Sequence, residues 1–280
     1  MDMKKGLCLL LFLLFLFPFP VSGQDAVPTY DPFASGSFYE ELVQEPAGIN
    51  YGEMVLIPEG PFIMGTDDPN ALPDSRPAHE VTLHEYWIDR FEVTNALYAD
   101  CVAAKYCTAP KDLSGASRKN YFTDPNYADY PVIHVDYYQA TAYCAWAGKR
   151  LPTEAEWEKA ARGNEGFLYP WGNELPDRIP AQINQFQIGD TVRVDSFPEG
   201  VSPYGVYNME GNVWEWTSDQ YDSNFYSTGP DHDPTAFTGG NDYVIRGYSW
   251  AYPFSRYEIT TRNSSYILNH SYDLGFRCAK

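Results

Sequence analysis

The chain has 280 residues and a formal net charge of −19, because 38 acidic residues face 19 basic ones. A surface of that sign repels phosphate backbones, so nucleic acid is not an expected partner. The same carboxylates favour solubility and could supply ligands for calcium, which prefers oxygen.

The first 23 residues have the pattern of a secretory signal peptide. Lys4 and Lys5 form a short basic region, Leu9–Phe17 form an apolar run, and Val21–Gly23 offer small residues before a cut near Gln24. The apolar run is too short to cross a membrane comfortably, and no later stretch is apolar enough. We therefore predict a secreted, periplasmic or extracellular protein without a membrane span in the mature chain.

Residues 24–49 hold three prolines among polar and aromatic residues and show no clean periodicity. We interpret them as a linker or an arm on the domain surface. Residues 50–280 then form one domain, whose length is usual for a single unit.

The first strands are predicted from short β-branched and aromatic runs. Met54–Ile57 and Pro61–Met64 are expected to form a hairpin that turns at Pro58–Gly60. Val81–Leu83 and Tyr86–Ile88 are expected to be further strands.

Three helices are predicted from their caps. Thr94 caps a helix that runs through Ala104, and Asp136 opens another that runs to Gly148. Thr153 and Glu156 form a capping box for a third helix, which Gly163 ends. The rest of the chain is rich in Gly, Pro and Asn, so we predict an α+β fold with little regular secondary structure.

Four cysteines remain after cleavage of the leader, an even number that indicates two disulfides in an exported chain. Cys101 and Cys107 are close enough to close a short loop. Cys144 is then left to pair with Cys278, which would tie a central helix to the C-terminus.

Several ordered motifs carry a family resemblance. They include Cys144 to Glu158, Gly211 to Trp216 and Leu274 to Ala279, and the ordered set extends over residues 54–280. The chain resembles the formylglycine-generating-enzyme, or sulfatase-modifying-factor, family. This resemblance implies an elaborated C-type-lectin-like fold, and it supports the Cys144–Cys278 pair.

The resemblance also implies structural calcium. An amide, two backbone carbonyls and a carboxylate could hold one ion, at Asn208, Gly211, Val213 and Glu215. A second calcium would fall at Asn184 and Asp190. The alternative is that Asn208 and Glu215 cap turns without an ion.

The oxidising members of the family bind copper through two cysteines. Here Tyr252 and Tyr257 stand at those positions, and a phenol is a poor ligand for Cu(I). Copper is therefore not an expected cofactor. The five histidines show no spacing of two histidines and one carboxylate, so an iron site is not expected either.

The C-terminal stretch suggests binding instead, because tyrosine and serine dominate adaptable binding surfaces. The candidate groove comprises Trp214, Tyr248, Ser249, Trp250, Tyr252 and Tyr257. Related domains are variable ligand-binding proteins, and the corresponding variable positions here would be Tyr248, Tyr252, Phe254, Tyr257, Ile259, Tyr266 and His270.

Two functions follow from these observations. The first is a binding or accessory module for a peptide, protein or other extracellular ligand, and a diversified variable protein is one form of such a module. The second is an oxidoreductase that converts a substrate cysteine to formylglycine at an unconventional site. Trp214 and Ser249 match residues of the family's substrate groove, so they are compatible with both functions.

Overall fold

Short strands and helices alternate with long irregular segments. The computed structural model describes residues 52–174, 188–252 and 259–280. Its strands and α-helices are β1 (Met54–Ile57), β2 (Gly60–Met64), β3 (His79–Leu83), β4 (Tyr86–Asp89), α1 (Asn95–Ala103), α2 (Tyr137–Trp146), α3 (Glu154–Arg162), β5 (Trp214–Gln220), α4 (Phe225–Thr228), β6 (Asp242–Arg246), β7 (Asn263–Tyr266) and β8 (Leu274–Gly275). The predicted α+β class is confirmed.

The first four strands pair in a nested way. β1 lies antiparallel to β4, with Met54 opposite Asp89, while β2 lies antiparallel to β3, with Gly60 opposite Leu83. The predicted hairpin between the first two strands is therefore wrong. The turn signal at residues 58–60 is real, but strand partners are chosen by burial of side chains distant in the sequence.

The larger sheet gathers the family motifs. Its strand order is β7-β6-β5-β8, and β8 runs parallel to β5. Trp214 lies opposite Leu274, and Glu215 lies opposite both Gly275 and Arg246. Three segments that are far apart in the chain thus meet at one end of this sheet.

The three predicted helix starts are confirmed. The Thr94 side chain accepts a hydrogen bond from the Leu97 backbone, and Asp136 and Thr153 each form a complete capping box. Gly163 ends α3 in the left-handed region, with φ of 68°. These features are local, which is why the sequence alone predicts them.

Both predicted disulfides are present. Cys101 bonds Cys107 with a Cα–Cα distance of 5.3 Å, and Cys144 bonds Cys278 with a Cα–Cα distance of 5.6 Å. The second bridge joins α2 to the strand-like C-terminus that follows β8. Within the described ranges, no helix has the length and apolarity needed to cross a bilayer.

Candidate functional site

The candidate groove is built by two loops that bond to each other. Gly211 donates its backbone N–H to the Gly247 carbonyl at 2.6 Å, and Trp250 donates to the Asn212 carbonyl at 2.9 Å. Gly247 has φ of 96° and Tyr248 has φ of 62°. These two consecutive residues with positive φ, directly after β6, turn the chain across the 208–213 loop.

Aromatic rings fill this junction. The rings of Trp214 and Tyr248 lie 4.6 Å apart between centroids, and Tyr252 meets Trp214 edge-on at 6.0 Å. Trp214 is buried, whereas 45% of Tyr252 is exposed. The structure thus brings these three predicted groove residues together. Tyr257 and Phe254 lie outside the described residues.

Ser249 is buried and is held by a residue that the sequence analysis missed. Its hydroxyl donates to Asp273 Oδ2 at 2.7 Å, and the Ser271 hydroxyl donates to Asp273 Oδ1. Trp250 packs on Tyr272 with centroids 5.5 Å apart. The Ser271-Tyr272-Asp273 segment before the Gly-Phe-Arg ending was the available signal.

One expected variable position does not belong to the groove surface. Ile259 is 3% exposed and lies in the hydrophobic core beside Trp157 and Met209. Its aliphatic side chain packs in the core and does not contribute to the groove surface. Tyr266, by contrast, is 51% exposed.

The residues of the groove do not suit copper thiolate chemistry. Burial, followed by the Asp273 charge and the neighbouring Tyr272, raises the pKa of the Tyr252 phenol above its ordinary value. The phenol is therefore protonated at neutral pH. The four cysteines of the described ranges are all joined in disulfides, so none of them offers a thiolate.

Asn208 has the geometry expected of a cation ligand. Its side-chain nitrogen donates to Glu92 Oε2 and to the Val194 carbonyl, both at 2.9 Å. Because both partners are acceptors, the orientation of the amide is fixed. Its oxygen is buried and has no hydrogen-bond partner in the described part of the chain. An oxygen-seeking ion such as calcium fits this arrangement.

Glu215 is engaged differently. Its carboxylate forms a bidentate pair with Arg277, at 2.6 and 2.7 Å, and also accepts the Trp157 indole N–H at 2.9 Å. Glu92 lies close by, and burial, only partly offset by Arg277, raises its pKa to about 7. Arg277 bonds the Glu215 carboxylate, whereas the Glu92 carboxylate accepts the side-chain N–H groups of Asn208 and Asn212. Glu92 is a further residue that the sequence analysis missed.

Asp190, expected at a second calcium site, serves as an anchor. Its carboxylate accepts hydrogen bonds from the backbone N–H and the hydroxyl of Ser117 and from the backbone N–H of Thr191. It also forms an ion pair with Arg118. These donors occupy both oxygens, so the geometry favours a loop tether over a calcium ligand. Asn184 lies outside the described residues.

Glu210 is a buried acidic residue in the 208–213 loop. It is 3% exposed, and neither carboxylate oxygen has a hydrogen-bond partner among the described residues. Burial raises its pKa well above the ordinary value of 4.5. Burial thus disfavours the charged form of this side chain.

Comparison with known proteins identifies relatives of this chain. Residues 39–280 match the model of the sulfatase-modifying factor enzyme 1-like domain. The chain is 33% identical to formylglycine-generating enzyme of Mus musculus, over 85% of this chain and 77% of that one. It is 34% identical to inactive C-alpha-formylglycine-generating enzyme 2 of Bos taurus, over 81% of this chain and 87% of that one.

Solved structures agree in fold. PvdO from Pseudomonas aeruginosa superposes with a TM-score of 0.67 and 30% identity, covering 81% of this chain and 93% of that one. Variable protein 1 of Treponema denticola gives a TM-score of 0.61 at 22% identity, covering 81% and 94% of the two chains, which is a likeness of fold alone. With the matching motifs, disulfides and domain model, the chain belongs to the sulfatase-modifying-factor (formylglycine-generating-enzyme) family.

Proposed function

We propose that this chain is a binding or accessory domain of the family that uses its aromatic groove for an extracellular ligand. One observation carries the proposal: Tyr252, at a copper-cysteine position of the oxidising relatives, packs against Trp214 and remains half exposed. A phenol there cannot replace a thiolate toward Cu(I), but it offers a rigid contact surface.

Family membership by itself does not decide between binding and catalysis. The chain is as similar to a relative named inactive as to one named an enzyme, at 34% and 33% identity. The decision therefore rests on the groove residues, where side-chain chemistry differs from that of the oxidising members.

An oxidoreductase with an unconventional site is the second candidate. Trp214 and Ser249 are retained, and Ser249 is held in place by Asp273. The same residues also shape a binding groove, so they favour the enzyme only if a redox-active group is added to them.

Selection from a random peptide library displayed on phage would test the binding role. The wild-type chain and the variant Tyr252→Ala with Tyr272→Ala would be used in parallel. We expect peptides that enrich on the wild-type chain and not on the variant, because the variant loses the exposed rings of the groove. Equal enrichment on both proteins would contradict binding through this groove.

The proposal includes a structural calcium ion held by the 208–215 segment. Asn208 would supply its side-chain oxygen and Gly211 and Val213 their backbone carbonyls, while Glu215 and Glu92 supply negative charge. A bound ion would satisfy the buried Asn208 oxygen and hold the loop against the groove.

Thermal unfolding in calcium, in magnesium and in chelator tests this part of the proposal. We expect calcium to raise Tm specifically and Asn208→Ala to abolish the rise, whereas Asn126→Ala, at an exposed turn, should retain it. A wild-type Tm that is unchanged by calcium would show that Asn208 and Glu215 only stabilise turns.

The proposed place of action is outside the cytoplasm. The leader-like residues 1–23 and the two disulfides support it, since such bridges persist in oxidising compartments. Expression with the native N-terminus, followed by N-terminal sequencing of exported protein, should find a cut near Gln24. Retention of an intact leader on all of the protein would contradict export by this route.

A further inference from the structure

The groove contains two pairs of aromatic rings. Each pair consists of a buried indole and a half-exposed phenol. Trp214 meets Tyr252 edge-on at 6.0 Å, and Trp250 meets Tyr272 at 5.5 Å. The tryptophans are 3% and 9% exposed, and the tyrosines are 45% and 44% exposed. We refer to these four residues as the aromatic cage.

A buried carboxylate is linked to the cage through the chain and through Ser249. Asp273 follows Tyr272 in the chain, is 7% exposed, and accepts hydroxyl hydrogen bonds from Ser249 and Ser271. Ser249 links it to Tyr252, because the Ser249 carbonyl accepts the Tyr252 backbone N–H at 3.2 Å while the Ser249 hydroxyl donates to Asp273. Together with the net charge of −19, this gives the cage a negative potential that attracts cations.

Other aromatic clusters of the protein already have a resident cation. The Arg118 guanidinium lies 4.9 Å from the centre of the Tyr130 ring, and that of Arg262 lies 4.3 Å from the Tyr226 ring. Across the described ranges, no arginine or lysine takes such a position over the rings of the cage. Tyr252 and Tyr272 are 45% and 44% exposed, so part of each ring is open to solvent.

We propose that the aromatic cage binds a quaternary ammonium group, as found in choline or in trimethylated lysine. The inference rests on the proposed binding function of the groove and names the chemistry of its ligand. A quaternary ammonium is attracted to the ring faces, buries its methyl groups against the indoles and needs no hydrogen-bond acceptor. Asp273 adds a buried counter-charge that a neutral ligand would not use.

Titration of the full chain with choline tests the proposal. Binding is measured by tryptophan fluorescence and by calorimetry. The control ligand is 3,3-dimethylbutan-1-ol, which has the same shape without the charge. Trimethyl-lysine in a short peptide, beside the same peptide with unmodified lysine, separates a protein-borne source from a free one. Tyr252→Leu and Tyr272→Leu each remove one exposed ring, while Tyr252→Phe and Tyr272→Phe keep it.

We expect saturable choline binding that is about tenfold tighter than that of the neutral alcohol, as a cation–π energy of this size implies. The leucine variants should lose it, and the phenylalanine variants should keep it. Equal affinity for the neutral alcohol would overturn the ammonium assignment while leaving a binding groove. No saturable signal from either ammonium ligand would also overturn it, and the library selection decides the groove's role separately.

Discussion

Tyr252 limits the chemistry available to the candidate groove. The phenol lies where the oxidising relatives are expected to have a thiol, yet the surrounding Trp214 and Ser249 are retained. Its ring packs on Trp214, and its hydroxyl remains protonated because burial and the Asp273 charge disfavour the phenolate. The ring therefore offers a contact surface where the family resemblance implies a soft metal ligand.

Gly65, directly after β2, is required by sterics as well as by backbone conformation. Its φ is 80°, and a Cβ there would lie 2.7 Å from the Pro77 carbonyl and 2.9 Å from the Ser75 carbonyl. We expect Gly65→Ala to lower the free energy of unfolding by several kcal/mol. The control is Gly239→Ala, with φ of 76° and open space around it, which should cost only about 1–2 kcal/mol. Equal losses in urea unfolding would contradict the steric account.

Asp219 makes the stability of the protein sensitive to pH. Its buried carboxylate accepts the backbone N–H groups of Glu154 and Ala236. Burial, followed by the Glu154 charge, raises its pKa from 3.8 to about 7. Since the folded pKa lies above the unfolded value, the proton on Asp219 stabilises the folded state at low pH. This contribution is lost as the pH rises through about 7.

We therefore expect Asp219→Asn to flatten the decline of the free energy of unfolding between acid and neutral pH. The change is at most about 1.4 kcal/mol per pH unit, because one proton is involved. Glu80→Gln on the surface controls for the loss of one negative charge. Identical pH slopes for the wild type and Asp219→Asn, in unfolding at several pH values, would refute this role.

At the scale of elements, α3 is unusual because every residue from Glu154 to Arg162 is buried. Glu154 and Glu158 have ion-pair partners far away in the chain. Arg246 of β6 contacts Glu154 at 2.7 Å and Glu158 at 2.9 Å, with all three side chains essentially inaccessible. The helix is thus fixed to the large sheet through ion pairs as well as through apolar packing.

Removal of Arg246 should be severe. Arg246→Met leaves Glu154 and Glu158 buried without one of their partners, and we expect a loss of about 3–5 kcal/mol in the free energy of unfolding. Arg193→Met is the matched control, since the Arg193–Asp129 pair is exposed and should be worth less than about 1 kcal/mol. Losses of similar size in denaturant unfolding would contradict the importance of burial.

The sequence predicts the elements that local chemistry determines. The caps at Thr94, Asp136 and Thr153 depend on residues within one turn, so they could be located without a structure. The pairing of β1 with β4 joins residues that are 29 (Ile57 to Tyr86) to 35 (Met54 to Asp89) positions apart, and the predicted hairpin missed it. The partner of Glu215 is Arg277, 62 positions away, which no local pattern indicates.

At the scale of the whole molecule, the two disulfides constrain the chain to different degrees. Cys144–Cys278 closes a separation of 134 residues, whereas Cys101–Cys107 closes one of 6. The loop-entropy model gives about 5 kcal/mol for the first bridge and about 2 kcal/mol for the second. Replacing each pair by alanines and measuring urea unfolding should reproduce that order. A larger loss for the short bridge would show that local packing, and not loop closure, dominates.

The candidate site shows the same division between local and distant information. The motifs locate Trp214, Ser249 and Tyr252, and the structure brings them together. Asp273 and Tyr272, which complete the groove, come from the segment before β8 and reach it only because β8 lies parallel to β5. A long-range sheet register therefore decides the chemistry of the groove, and sequence reasoning did not provide it.

The central claim is that this family member binds through its groove and does not oxidise cysteine through copper. The most direct test incubates the full chain with Cu(I), oxygen and a peptide containing Cys-x-Pro-x-Arg, and measures aldehyde by mass spectrometry. Formylglycine-generating enzyme of Mus musculus serves as the positive control. We predict no aldehyde above the level without protein. Aldehyde that accumulates with turnover would contradict the account and require a redox site that the described residues do not explain.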